Sequence, residues 1–221
     1  MPSADPFVHW RPDTLAQGGV LTPAIRRDLA DLNRLYLELA LSPELWLDPR
    51  FALCEAVRSA LAGSDQPTRS RMAACPFALF EIHLPVDRPT VAAAPLRVEE
   101  GVALAQVGEP WKARCLAFAQ FALFAALRLA DAGPLAMRVA LGLSPSAEQQ
   151  LNGMCPTEMA RLAASPDVVR PRWPSNPRFW ALLRHAARAD SASLLQSAHC
   201  FGICLLWPDV KAMPPQPAPA R

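Results

Sequence analysis

The residues of this 221-residue chain best suited to nucleophilic or metal chemistry are four histidines and six cysteines. Nucleophilic catalysis needs a base within reach of a Ser, Cys or Thr, and none of His9, His83, His185 and His199 stands in a recognisable elbow or triad signature. Cys54, Cys75, Cys115, Cys155, Cys200 and Cys204 form no C-x-x-C pair. The nearest approach to metal spacing is His199-Cys200 with Cys204 four residues on, which puts the two thiols on one helical face. Their neighbours Phe201, Ile203, Leu205 and Leu206 favour reading both as small apolar core residues. Gly18-Gly19 is a lone pair outside any phosphate-cradling motif, and Glu99-Glu100 reads as a solvated charge pair. These residues predict a non-enzymatic chain with no cofactor and no metal.

A second kind of chemistry is carried by arginine. Arg161, Arg170, Arg172, Arg178, Arg184 and Arg188 fall within 28 residues that contain one acid, Asp167. Trp173, Phe179 and Trp180 are interleaved with them, so guanidinium groups could meet phosphates while an aromatic ring anchors a base or a partner. Arg170, Arg172, Trp173, Arg178, Arg184 and Arg188 are therefore the candidate contact to a protein or nucleic acid. The competing reading places Phe179, Trp180, Leu182 and Leu183 in a core with the arginines as its solvated rim.

Composition sets the frame for either. Hydrophobic residues make up 52% of the chain, ample for a core, and charged residues only 19%. A net charge of +2 is far from the balance of a dedicated nucleic-acid binder. The start, Met1 to Trp10, shows no basic region followed by an apolar one, which predicts a cytoplasmic protein. The most apolar window, Cys115 to Leu127, is bracketed by Lys112, Arg114 and Arg128 and is shorter than the roughly 20 residues a membrane span needs, so it is read as a core helix.

The elements that must position these residues are punctuated by proline, of which there are 24. Thr22-Pro23, Ser42-Pro43, Asp48-Pro49, Ser144-Pro145 and Asn176-Pro177 each pair a capping side chain with a proline suited to the first helical position. Leu29, Leu32, Leu35, Tyr36 and Leu39 recur at helical spacing and predict an amphipathic helix. A helix is expected over 49–61, a turn over 64–67, and over 75–84 a helix followed by extended chain. Further helices are expected over 110–130, 135–141, 144–152, 156–164, 176–189 and 190–207, with extended chain over 168–174. The fold class is mainly α: a compact multi-helix domain with two related helical halves as a candidate arrangement. Residues 1–84 form the N-terminal segment, 85–109 a linker, 110–207 the C-terminal segment and 208–221 a Pro-rich disordered tail.

Arg58, Ala60, Leu61, Ser64, Cys75 and Pro76 align without gaps, at an offset of 80, with Arg138, Ala140, Leu141, Ser144, Cys155 and Pro156. The echo suggests a duplicated helical unit.

The stretches Leu123–Ala130, Ala136–Ser144 and Cys155–Ala163, followed by Val169–Trp173 and Leu195–Ile203, resemble the flagellar master-regulator subunit FlhD over roughly residues 113–206. That resemblance implies a small, helical, dimerising protein that activates transcription with an FlhC partner carrying its own zinc site, and it puts Arg170 and Arg172 just before the later helices. The first half, through Trp46-Leu47-Asp48-Pro49, is similar to accessory proteins of type III secretion apparatus. Two functions are thus expected: a cytosolic regulatory subunit acting on transcription through a partner protein or DNA, or a structural adaptor of a secretion or surface machine. A protein partner is expected in both, with DNA and a second copy of the chain as further candidates.

Overall fold

Thr22 and the proline after it open the first helix as their pairing predicts: the Thr22 side chain accepts the Ile25 N–H at 3.3 Å and Pro23 sits in the first turn. The computed structural model describes residues 21–46, 48, 50–84 and 110–206. Nine α-helices and two short strands occur among them: α1 (Pro23–Ala40), α2 (Glu55–Leu61), α3 (Gln66–Ala73), β1 (Phe80–Ile82), α4 (Pro110–Asp131), α5 (Pro134–Leu141), α6 (Pro145–Asn152), α7 (Pro156–Ala164), β2 (Val169–Pro171), α8 (Pro177–Arg188) and α9 (Ala192–Leu206). The protein is mainly helical. The linker of residues 85–109 and the tail of residues 208–221 lie outside the described residues, as do His9, Gly18 and Gly19.

One core serves both halves of the chain. α1 buries Leu29, Leu32, Tyr36, Leu37 and Leu39 and packs on α3 and on α4. Tyr36, Phe51, Phe80 and Phe118 gather there with ring centroids 5.1 to 5.9 Å apart, drawn from α1, the segment before α2, β1 and α4. α8 packs against α2, α3 and α9, with Phe179, Trp180 and Leu183 fully buried. The strands pair antiparallel, Phe80 opposite Pro171 and Ile82 opposite Val169, and so join residues far apart in the chain.

A buried amide fixes the loop that leads into β1. Asn33, on the inner face of α1, donates to the carbonyls of Ala73 (3.1 Å) and Phe77 (2.9 Å) and accepts the Leu79 N–H at 2.8 Å. Its partners are the orphan carbonyl of the last residue of α3 and two backbone groups of the loop that has not yet entered β1, none of which the helix or the strand satisfies itself.

Several expectations change against this frame. Asp48 does not cap a helix: its carboxylate takes the Arg50 N–H and guanidinium, and α2 begins only at Glu55. Burial would raise the Asp48 pKa, but the Arg50 hydrogen bonds and charge outweigh it and hold it below the usual carboxylate range. Ser42-Pro43 opens only a single 3-10 turn, Pro43–Leu45. The turn expected over 64–67 is instead the start of α3, with Asp65 accepting the Thr68 N–H at 2.9 Å and Pro67 inside the first turn. Within 75–84 the chain forms no helix. It runs irregularly to Leu79 and then enters β1, because its partner strand lies in the second half.

α4 has the length and apolar composition that would cross a membrane, and it is the only such helix among the described residues. In this fold it is a core element: Cys115, Phe118, Ala119, Ala122, Leu123, Ala126 and Leu129 are buried, and the helix packs on α1, α5, α6 and α7.

Candidate functional site

The six residues singled out as a contact are placed by β2 and α8, and they do not share one surface. Arg172, directly after β2, is 1% exposed. Its Nη2 donates to the Leu141 carbonyl at the end of α5, and its Nε stands 4.0 Å from the Glu81 carboxylate on β1. Burial draws its pKa down to about 10, against the raising influence of Glu81. This guanidinium is an interior strut that meets one of the orphan carbonyls of a helix C-terminus.

Arg184, on α8, does the same for another helix, donating to the Ala60 carbonyl in the last turn of α2. α8 is met in the same way by a third helix, since Arg71 of α3 donates through Nε to the Ala187 carbonyl in the last turn of α8 at 2.6 Å. Arg170 is exposed and paired with Asp167 at 2.9 Å, while Arg178 and Arg188 are exposed on α8. Trp173 is packed rather than offered: its ring meets Phe179 edge-on at 4.4 Å and Phe77 at 5.6 Å, and its carbonyl accepts from Trp180 Nε1 at 3.1 Å. It holds a φ of 53°, costly for a bulky residue and sustained by that packing. The open arginines therefore reduce to Arg170, Arg178 and Arg188.

The repeat at offset 80 aligns the ends of α2 and α5, and in both the last turn gives a carbonyl to a late arginine, Arg184 or Arg172. Beyond those ends the correspondence lapses. Cys155-Pro156 begins α7, whereas Cys75-Pro76 lies in the loop before β1.

The cysteines also divide. Cys75 and Cys115 are buried, and burial raises both thiols, Cys115 to about 11. Cys200 and Cys204, expected in the core, are exposed. The reason is the face α9 presents inward. Ala198 and Gly202 are its buried positions, and Gly202 lies so close to the Phe77 ring that a Cβ there would stand 2.3 Å from it. The thiols lie on the outer side of α9, and Phe201, whose ring still meets that of Phe179 at 6.5 Å, is 37% exposed beside them.

What sequence reasoning missed is the outward apolar surface. Phe121 and Phe124 on α4 are 54% and 58% exposed, and Phe124 lines a groove of about 290 Å³ with Gln120, Leu123, Pro156, Met159 and Ala160, between α4 and α7. α9 carries no charged residue in its 15 positions and leaves Phe201 exposed. The signal was present in α4 as an apolar residue at nearly every position, more than one buried stripe can use. No family model, no curated protein and no solved structure matches this chain.

Proposed function

We propose that this chain is a non-enzymatic assembly subunit, a helical adaptor that works by binding other protein surfaces. The observation that carries the reading is that α4 and α9 keep large apolar side chains outward, Phe121, Phe124 and Phe201, on a protein whose interior is already filled by one aromatic and aliphatic core. Exposed apolar side chains set side by side on a helix, as Phe121 and Phe124 are on α4, mark interaction sites. The adaptor of a secretion or surface machine, suggested by the first half of the sequence, fits such a surface.

The regulatory reading, a transcription subunit of the kind the FlhD resemblance implies, rests on the exposed Arg170, Arg178 and Arg188 and calls for a partner to supply most of any DNA contact. Salt separates the two. Affinity isolation of the tagged full-length protein from its own cells, washed at low and at high salt, is expected to retain the same protein partners in both washes. Replacing Phe201 with Glu on the outward face of α9 is expected to release them. Recovery of DNA or RNA polymerase that is lost at high salt, with no partner retained, would overturn the adaptor in favour of the regulator.

A further inference from the structure

The outer face of α4 has an order that composition alone does not show. Arg114, Phe121, Phe124 and Asp131 are all exposed and lie on one side of the helix, since seven-residue steps return to nearly the same stripe. Arg114 precedes Phe121 by the same seven residues by which Asp131 follows Phe124. The spacing is palindromic about the step between Ala122 and Leu123, while the charges at its two ends are opposite. The face is complementary to a copy of itself laid antiparallel, and to no parallel copy.

We infer that α4 is the two-fold interface of a homodimer. In the antiparallel pair, Phe121 of each copy lies against Phe124 of the other, at the mouth of the groove floored by Met159 and Ala160, and Arg114 of each meets Asp131 of the other. Arg128 falls within the same stripe and would oppose Ala117 of the second copy. Its charge is already met by Asp28 of α1 at 2.5 Å, so no like charges are brought together. A parallel pairing sets Arg114 against Arg114 and Asp131 against Asp131, which is repulsive at both ends. α4 is 22 residues long, about 33 Å, enough for both phenylalanine pairs and both ion pairs to form at once. The inference rests on the assembly reading but names its own occupant, a second copy of this chain.

The test is the mass of the full-length protein by sedimentation velocity and light scattering at about 150 mM salt. The wild type is expected to be a dimer. Arg114→Glu and Asp131→Arg are each expected to weaken it at least ten-fold, and the pair Phe121→Ser with Phe124→Ser to leave a monomer. All these positions are exposed, so the variants should keep the wild-type circular dichroism and melting temperature. An equimolar mixture of the Arg114→Glu and Asp131→Arg chains is expected to recover the dimer, because every end of that mixed pair again joins opposite charges. A monomeric wild type, a dimer indifferent to these substitutions, or binding of α4 to anionic vesicles in place of dimerisation would overturn the inference. A monomer that still retains salt-resistant protein partners would remove the dimer and leave the adaptor reading standing.

Discussion

The guanidinium of Arg172 reaches across the fold to the carbonyl of Leu141, closing the last turn of α5 with a side chain from beyond β2. Its Nε and Nη1 find no hydrogen-bond partner, and Glu81, half-exposed at 4.0 Å, is the carboxylate that offsets the charge. A buried cation so incompletely paired is costly, and an apolar side chain of similar length avoids the cost. Arg172→Met is expected to change stability by no more than about 1 kcal/mol, whereas Arg172→Lys, which brings a compact and strongly hydrated charge without the fork, is expected to lose about 3 kcal/mol. Urea unfolding of the three proteins decides it. A lysine variant as stable as the wild type would mean that the site is wetter than its burial indicates.

Asn33 offers a sharper contrast. Its amide nitrogen faces two carbonyls, Ala73 and Phe77, so Asn33→Asp replaces a donor with an oxygen that faces both. The expected loss is at least about 3 kcal/mol at neutral pH, from two orphaned acceptors and a buried carboxylate. The destabilisation should ease toward acid, where the substituted side chain can be protonated. Thermal unfolding at two pH values measures both effects, and an aspartate variant unaffected by pH would show that the loop reorganises around it.

Gly202→Ala would be expected to stabilise an ordinary helix by about 1 kcal/mol. Here the new Cβ would stand 2.3 Å from Phe77 Cζ and 3.1 Å from Phe179 Cε2. Both rings belong to the core, so the clash should reverse the sign and cost about 1–3 kcal/mol. The melting temperature of this variant tests whether α9 is held by that close approach, and any rise would contradict it.

These positions explain what could be read from sequence and what could not. Thr22-Pro23, Ser144-Pro145 and Asn176-Pro177 mark real helix starts because a cap is satisfied within three residues, by the Ile25, Ala147 and Phe179 N–H groups. Asp48-Pro49 misleads because Arg50, two residues on, takes the carboxylate first. β1 is hidden because the strand that satisfies it is in the other half of the chain. The arginine cluster suggested a contact by its density, yet Arg172 and Arg184 point at helix ends that neighbour them only after folding. The outward face of α4 was hidden for the opposite reason: an apolar run as dense as Cys115–Leu127 reads as wholly buried until its neighbours are known to cover only part of it.

His199 makes stability depend on acidity. Its ring lies edge-on to Phe77 at 6.2 Å, Nε2 has no hydrogen-bond partner, and burial lowers its pKa. The folded state therefore holds the proton less well than the unfolded chain, whose histidine titrates near 6.5. Stability is full above that value and falls as the pH drops below it, levelling once the folded ring is also protonated. Unfolding free energies between pH 7.5 and 5 should decline in the wild type and decline less in His199→Leu. Equal slopes in the two proteins would mean that the burial of this ring has no consequence for titration.

Pairing of β1 with β2, and the reach of Arg184 to Ala60 and of Arg71 to Ala187, bear on how the chain is made. Translation delivers α1, α2 and α3 long before the residues that complete them. Until Arg184 has left the ribosome the last turn of α2 lacks its arginine, until Val169–Pro171 has left it Phe80–Ile82 is an unmated edge, and until α8 follows the side of α2 and α3 destined for it faces water. The nascent first half is thus committed to wait, and a ribosome stalled before α8 would present a sticky intermediate of the sort that chaperones capture.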